Sequence, residues 1–78
     1  MTVGTVVIVK AGKEKGKPFV VTEIVSERSV RIADGKRRPL ERPKLKNIIH
    51  LQRTNTVIDE ITTDRQLRQF LTAFQSGG

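Results

Sequence analysis

The strongest constraint in this chain is a pair of apolar runs that do not alternate. Val6-Val7-Ile8-Val9 is four β-branched residues in a row, and Phe19-Val20-Val21 follows after a short basic loop. A strand with one face in water alternates apolar and polar residues, because successive side chains point to opposite faces. A continuous run reads instead as a strand covered on both faces. The chain must therefore build a sheet and also supply something to lay over it.

The cover is legible near the C-terminus. Leu67, Phe70, Leu71 and Phe74 fall at i, i+3, i+4 and i+7, one face of a helix. Thr63-Asp64-Arg65-Gln66 just before them reads as a capping box, with Thr63 at the N-cap and Gln66 at N3. Ser76-Gly77-Gly78 reads as a frayed end. With 78 residues there is room for one small domain. Such chains bury only about 60% of their unfolded surface, so core and cover must come from the same few elements.

Between these landmarks the strands follow in order. Thr5–Lys10 and Pro18–Val25 flank the loop Ala11–Lys17. Ser29–Ala33 alternates cleanly, with Val30 and Ile32 inward and Arg31 outward. Asp34-Gly35 signals a tight turn, after which Lys36–Glu41 is expected to return as a fourth strand, demoted to an edge by Pro39. Arg42-Pro43-Lys44 is a connector, and Leu45–Leu51 is expected as the fifth strand. Asn55–Ile61 reads as one helical turn. The fold class is mainly β: a small five-stranded barrel, closed or half-open, with a C-terminal amphipathic helix. Residues 1–54 form the barrel, and residues 55–78 a helical extension packed on it, within a single domain.

Charge narrows the function. The net charge is +7, and it is unevenly placed. Residues 10–53 carry thirteen Lys and Arg against five Asp and Glu, whereas residues 54–78 carry two against three. A one-sided basic surface suits a polyanion, nucleic acid first and anionic membrane second. Three Phe with no Trp or Tyr argue against aromatic cages, Pro-rich peptide grooves and base-stacking platforms. There is no Cys, hence no disulfide and no thiolate metal site, which fits a reducing, cytoplasmic setting. Met1–Gly4 lacks a positive leader, and Val6–Val9 is far too short to span a membrane.

The loop itself has the spacing Gly12-x-x-Lys15-Gly16, ringed by Lys10, Lys13, Lys15 and Lys17. Glycine tolerates left-handed backbone and leaves its N–H unshielded, so such a loop can approach a phosphate chain closely. The alternative is a plain hairpin loop with solvated lysines. It is no nucleotide-binding P-loop: the spacing differs, and Lys17 is followed by Pro18 rather than Ser or Thr and a helix.

The stretch from Gly4 through Lys15-Gly16-Lys17 to Ile24 resembles a KOW motif, the strand–loop–strand unit of ribosomal proteins and NusG-type transcription factors. The chain is similar to short bacterial KOW-domain RNA-binding proteins related to an archaeal and eukaryotic large-subunit ribosomal protein group. Gly4 and Val7, Lys10-Ala11-Gly12-Lys13-Glu14, Gly16-Lys17, Val30 and Ile32, Arg37-Arg38, Asn47, His50-Leu51 and Thr54 carry the likeness. It covers roughly residues 3–54 and implies an SH3-like barrel that binds RNA, usually ribosomal RNA. Many KOW motifs have a further glycine where this chain has Phe19, so the loop exit is expected to be less open here.

The expected RNA contacts are Lys10, Lys13, Lys15 and Lys17, with Gly12 and Gly16 giving backbone access. Arg37 and Arg38 come next, and Arg42, Lys44 and Lys46 extend the track. Arg31 joins them or pairs across the sheet with Glu23 or Glu41. His50 reads as structural. No catalytic grouping, cofactor site or metal-ligand cluster is discernible, and Asp59-Glu60 point apart, so no enzymatic activity is expected. A competing reading is a protein-interaction module, docking on a ribosomal or transcription component through the barrel or the helix. Exposure of Leu67, Phe70, Leu71 and Phe74 separates the two. Oligomeric state is not legible.

Overall fold

The computed structural model describes residues 1–76. The molecule is mainly β, with five antiparallel strands in one sheet and one C-terminal helix. The elements are β1 (Thr5–Val9), β2 (Pro18–Ile24), β3 (Ser29–Ala33), β4 (Lys44–Asn47), a 3₁₀ turn (Ile48–His50), β5 (Leu51–Val57) and α1 (Asp64–Ser76). The sheet order is β4-β3-β2-β1-β5. Of Ser76-Gly77-Gly78, where fraying was expected, Ser76 is the last residue of the helix, and Gly77 and Gly78 lie outside the described residues. Among the described residues no helix is long and apolar enough to cross a membrane.

The apolar runs are buried on both faces. Val7 and Val9 of β1 join Phe19, Val21, Val30, Ile32 and Leu51 in one core. Val6, Val20 and Ala33 point the other way and meet Leu67 and Leu71 of α1. Val6 is the register partner of Val20, and Val20 of Ala33, so these three make a straight row across β1, β2 and β3 beneath the helix. Phe74 is half-buried at the margin, and Phe70, 37% exposed, is the most open of the four residues in the stripe. Most of the apolar helix face is thus spent on the sheet.

The connectivity forces the sheet to curl. β4 and β5 lie on opposite edges, yet only Ile48–His50 joins them. Flat, the two edge strands would sit ~19 Å apart, four spacings of ~4.8 Å. The four peptide steps from Asn47 to Leu51 reach at most ~14 Å. The sheet bends round until the 3₁₀ turn fits between strand ends. Ile48 N–H donates to the Arg28 carbonyl (2.8 Å), and the His50 carbonyl accepts from Lys10 N–H (2.8 Å). No β4–β5 ladder forms among the described residues, so the curl is half-open.

Two irregularities help the bend. Val21 faces Ile32 and Glu23 faces Arg31, so Thr22 is an extra residue in β2. Its hydroxyl donates to the Arg31 carbonyl (3.2 Å). The extra residue also resets the alternation: strict period two would turn Glu23 into the core, whereas the bulge turns it to solvent. A second register shift lies between Thr5 and Val7, where the Thr54 hydroxyl donates to the Val6 carbonyl (2.6 Å).

Three expected elements differ. Residues 36–41 are not a strand, because alternate N–H groups along them are already taken by side chains. Lys36 and Arg38 N–H both donate to Asp34 Oδ1 (2.9 Å each), Pro39 has none, and Leu40 N–H donates to Asp64 Oδ1 (2.7 Å). The expected Leu45–Leu51 strand is broken at Asn47, whose side chain accepts from Ile49 N–H (3.0 Å) and starts the 3₁₀ turn. Asn55–Val57, expected as part of a helical turn, continues β5 across residue 54. Ile58 N–H then donates to the Gly4 carbonyl (2.8 Å) and keeps the chain extended.

Helix α1 starts where the cap signal places it. Thr63 Oγ1 accepts from Gln66 N–H (3.1 Å). The reciprocal half of the box shifts by one residue. Gln66 Oε1 accepts from the N–H (3.2 Å) and hydroxyl (2.8 Å) of Thr62, not from Thr63 N–H.

Candidate nucleic-acid interface

The β1–β2 loop is built by its own hydrogen bonds. Val9 N–H donates to the Lys17 carbonyl (3.1 Å), and Gly16 N–H returns to the Val9 carbonyl (2.7 Å). Inside, Lys15 N–H reaches the Gly12 carbonyl (3.2 Å) and Lys17 N–H the Glu14 carbonyl (3.1 Å). Gly12 and Gly16 have φ of +89° and +85°, with open space where a Cβ would stand. Backbone sign, not crowding, calls for glycine at both places. The expectation that both glycines offer free N–H groups needs correcting, since Gly16 spends its own inside the loop. The free limb is Ala11–Glu14, whose four N–H groups have no hydrogen-bond partner among the described residues.

That limb borders a cleft of about 390 Å³. Across it stand Arg37 and Arg38 from the β3–β4 connection, and Lys44 and Lys46 from β4. Lys13, Arg37, Arg38, Lys44 and Lys46 therefore come from three separate parts of the sequence to ring one space. Like charges gathered this way repel, and the fold sets one carboxylate among them. Glu14 is only 8% exposed, and its Oε1 lies 3.5 Å from Lys44 Nζ. Its Oε2 is buried without a hydrogen-bond partner, as is Arg38 Nε on the same cleft.

The two arginines are held by the turn that replaces the expected strand. Asp34 and Gly35 N–H both donate to the Arg38 carbonyl (2.9 and 3.1 Å). Gly35, at φ +78°, packs so tightly on α1 that a Cβ there would run into the Asp64 carbonyl. Arg68 Nη1 donates to the Gly35 carbonyl (2.8 Å) and Asp64 Oδ1 accepts from Leu40 N–H. The helix thus fixes the arginine-bearing turn.

The other expected contacts disperse. Lys17 lines a second, larger groove with Arg37, Lys36 and Arg68. Lys10, Lys15 and Arg42 are exposed but border neither cleft. Arg31 pairs with Glu23, Nε to Oε1 at 3.0 Å, so of the two acidic partners considered for it the cross-strand neighbour holds it. Lys36 and Arg68 escaped the sequence reading. Lys36 sits directly between the Asp34-Gly35 turn and the arginine pair, and Arg68 flanks the helix's apolar stripe next to Leu67. Each was legible as a cation beside a marked element.

No family model matches this chain, and no curated protein matches it.

Proposed function

We propose that this is a non-catalytic RNA-binding protein of the cytoplasm, gripping the phosphate backbone of structured RNA, ribosomal RNA above all, at the cleft between the β1–β2 loop and the Arg37-Arg38 turn. One observation carries the reading: five cations from three parts of the chain ring one cleft, bordered by a loop limb whose N–H groups have no partner among the described residues. Ammonium, guanidinium and backbone N–H donors together match phosphate oxygens, which take most protein contacts to nucleic acid. The KOW resemblance of residues 3–54 points the same way. Glu14 limits the net charge of the empty cleft and orders Lys44 through the Oε1–Nζ contact.

The test is a titration of ribosomal RNA fragments at increasing salt. If about five phosphates are neutralised, log affinity falls against log salt with a slope of roughly −3.5 to −4.5. Lys13→Glu with Arg37→Glu weakens binding strongly without unfolding the protein, because the two side chains are exposed and on opposite walls of the cleft. An affinity indifferent to salt, or untouched by this double substitution, refutes the proposal.

A further inference from the structure

We propose that α1 is a working wall of the RNA surface: the groove between the helix and the 34–38 turn holds a single-stranded stretch of the same RNA that occupies the Gly12–Glu14 cleft. This rests on the RNA-binding reading and adds the helix, which lies outside the KOW resemblance. The groove measures about 820 Å³. Lys17, Lys36, Arg37 and Arg68 line it against one carboxylate, Asp34, whose Oδ1 already accepts two backbone N–H groups. Arg37 borders both spaces, so a strand leaving the cleft passes directly into the groove.

The lining is more than cationic. Gln69, Thr72 and Gln75 reach it from the helix, exposed and with no side-chain hydrogen bond among the described residues. Amides and hydroxyls offer donors and acceptors to base edges, which are accessible in single strands. Ala73 is exposed and adds a small apolar contact for a sugar, over a floor of buried Pro18 and Leu71. An acidic peptide would match the cations too, but continuity with the first cleft through Arg37 favours the same RNA. The walls are pre-set, because the Arg68–Gly35 and Asp64–Leu40 hydrogen bonds tie helix to turn and little ordering remains for binding.

The experiment measures affinity of the full chain for a 12-nucleotide single-stranded RNA of mixed sequence at about 0.15 M salt. Thr72→Glu and Thr72→Lys are compared with Asn55→Glu and Asn55→Lys on β5, an exposed position bordering neither space. Two charge units swapped ~6 Å from a phosphate give a spread of about tenfold between the variants at position 72. Beyond a Debye length of ~8 Å screening leaves a spread under about twofold at position 55. Because the chain has no cysteine, Thr72→Cys and Asn55→Cys each carry a photo-crosslinker at one place only. The expected crosslink forms from position 72 and not from 55. Equal spreads at the two positions, or no crosslink from 72, overturn the helix's role while leaving the cleft intact. A poly-glutamate 12-mer that binds more tightly than RNA, with the same position-72 dependence, overturns it in favour of an acidic peptide. Wild-type protein that binds no RNA, neither this 12-mer nor ribosomal fragments, defeats both readings together.

Discussion

Replacing Gly35 by alanine and comparing it with Gly12→Ala isolates the contact between the arginine-bearing turn and α1. Both glycines have positive φ, +78° and +89°, so both substitutions incur the left-handed penalty of an L-residue, ~1–2 kcal/mol. At Gly12 nothing stands within 4 Å of the new Cβ, and the cost ends there. At Gly35 the Cβ meets the Asp64 carbonyl, with Arg68 Cγ 3.2 Å away. Relief requires moving the first turn of the helix, which strains the Arg68–Gly35 and Asp64–Leu40 hydrogen bonds. Those bonds are worth ~1 kcal/mol each. Gly35→Ala should therefore cost about 3–4 kcal/mol, a large share of the ~4–12 kcal/mol that a domain this size holds in reserve. Urea denaturation with unchanged m reads both values, and thermal melting should separate the variants by roughly 8–16 °C. If Gly35→Ala is no more destabilising than Gly12→Ala, the turn and helix are not tightly packed, and the account of how the arginines are positioned fails.

Other outcomes follow from burial and bonding. Leu67→Ala removes a fully buried side chain from above Val6, Val20 and Ala33 and should cost about 3 kcal/mol in denaturation, whereas Phe70→Ala, one-third exposed, should cost roughly 1 kcal/mol. Thr63→Ala removes the N-cap acceptor and should lower stability by ~1 kcal/mol, measurable as a shift of the urea midpoint. A double-mutant cycle on Glu23 and Arg31 should return a coupling of ~0.2–1 kcal/mol, since their side chains are 61% and 41% exposed. Glu14→Gln takes the one carboxylate out of the cationic cleft and should tighten RNA binding about threefold at low salt, read by fluorescence anisotropy. Weaker binding by that variant would show that ordering Lys44 matters more than charge.

Much of this protein was written locally. β-branched runs without alternation state that β1 and β2 are covered on both faces, and the 3.6-residue spacing from Leu67 to Phe74 names the cover. Thr63 and Gln66 mark the helix start because capping depends on neighbours three residues apart. Asp34-Gly35 marks the turn because φ is set by the residue itself. What tertiary structure alone decided depends on distant partners. Residues 36–41 leave the sheet because Leu40 N–H finds Asp64, which lies 24 residues on, while Asp34 takes Lys36 and Arg38. The break between β4 and β5 is held by bonds to Arg28, in the β2–β3 connection, and to Lys10, just past β1. The sequence shows cations scattered from Lys10 to Arg68, and no periodicity says which of them meet. The curl of the sheet selects Lys13, Arg37, Arg38, Lys44 and Lys46 for one cleft and turns Glu14 in among them. Composition makes the chain basic, but the positions of its charges relative to one another belong to the fold, because electrostatic matching depends on distances that only the folded chain defines.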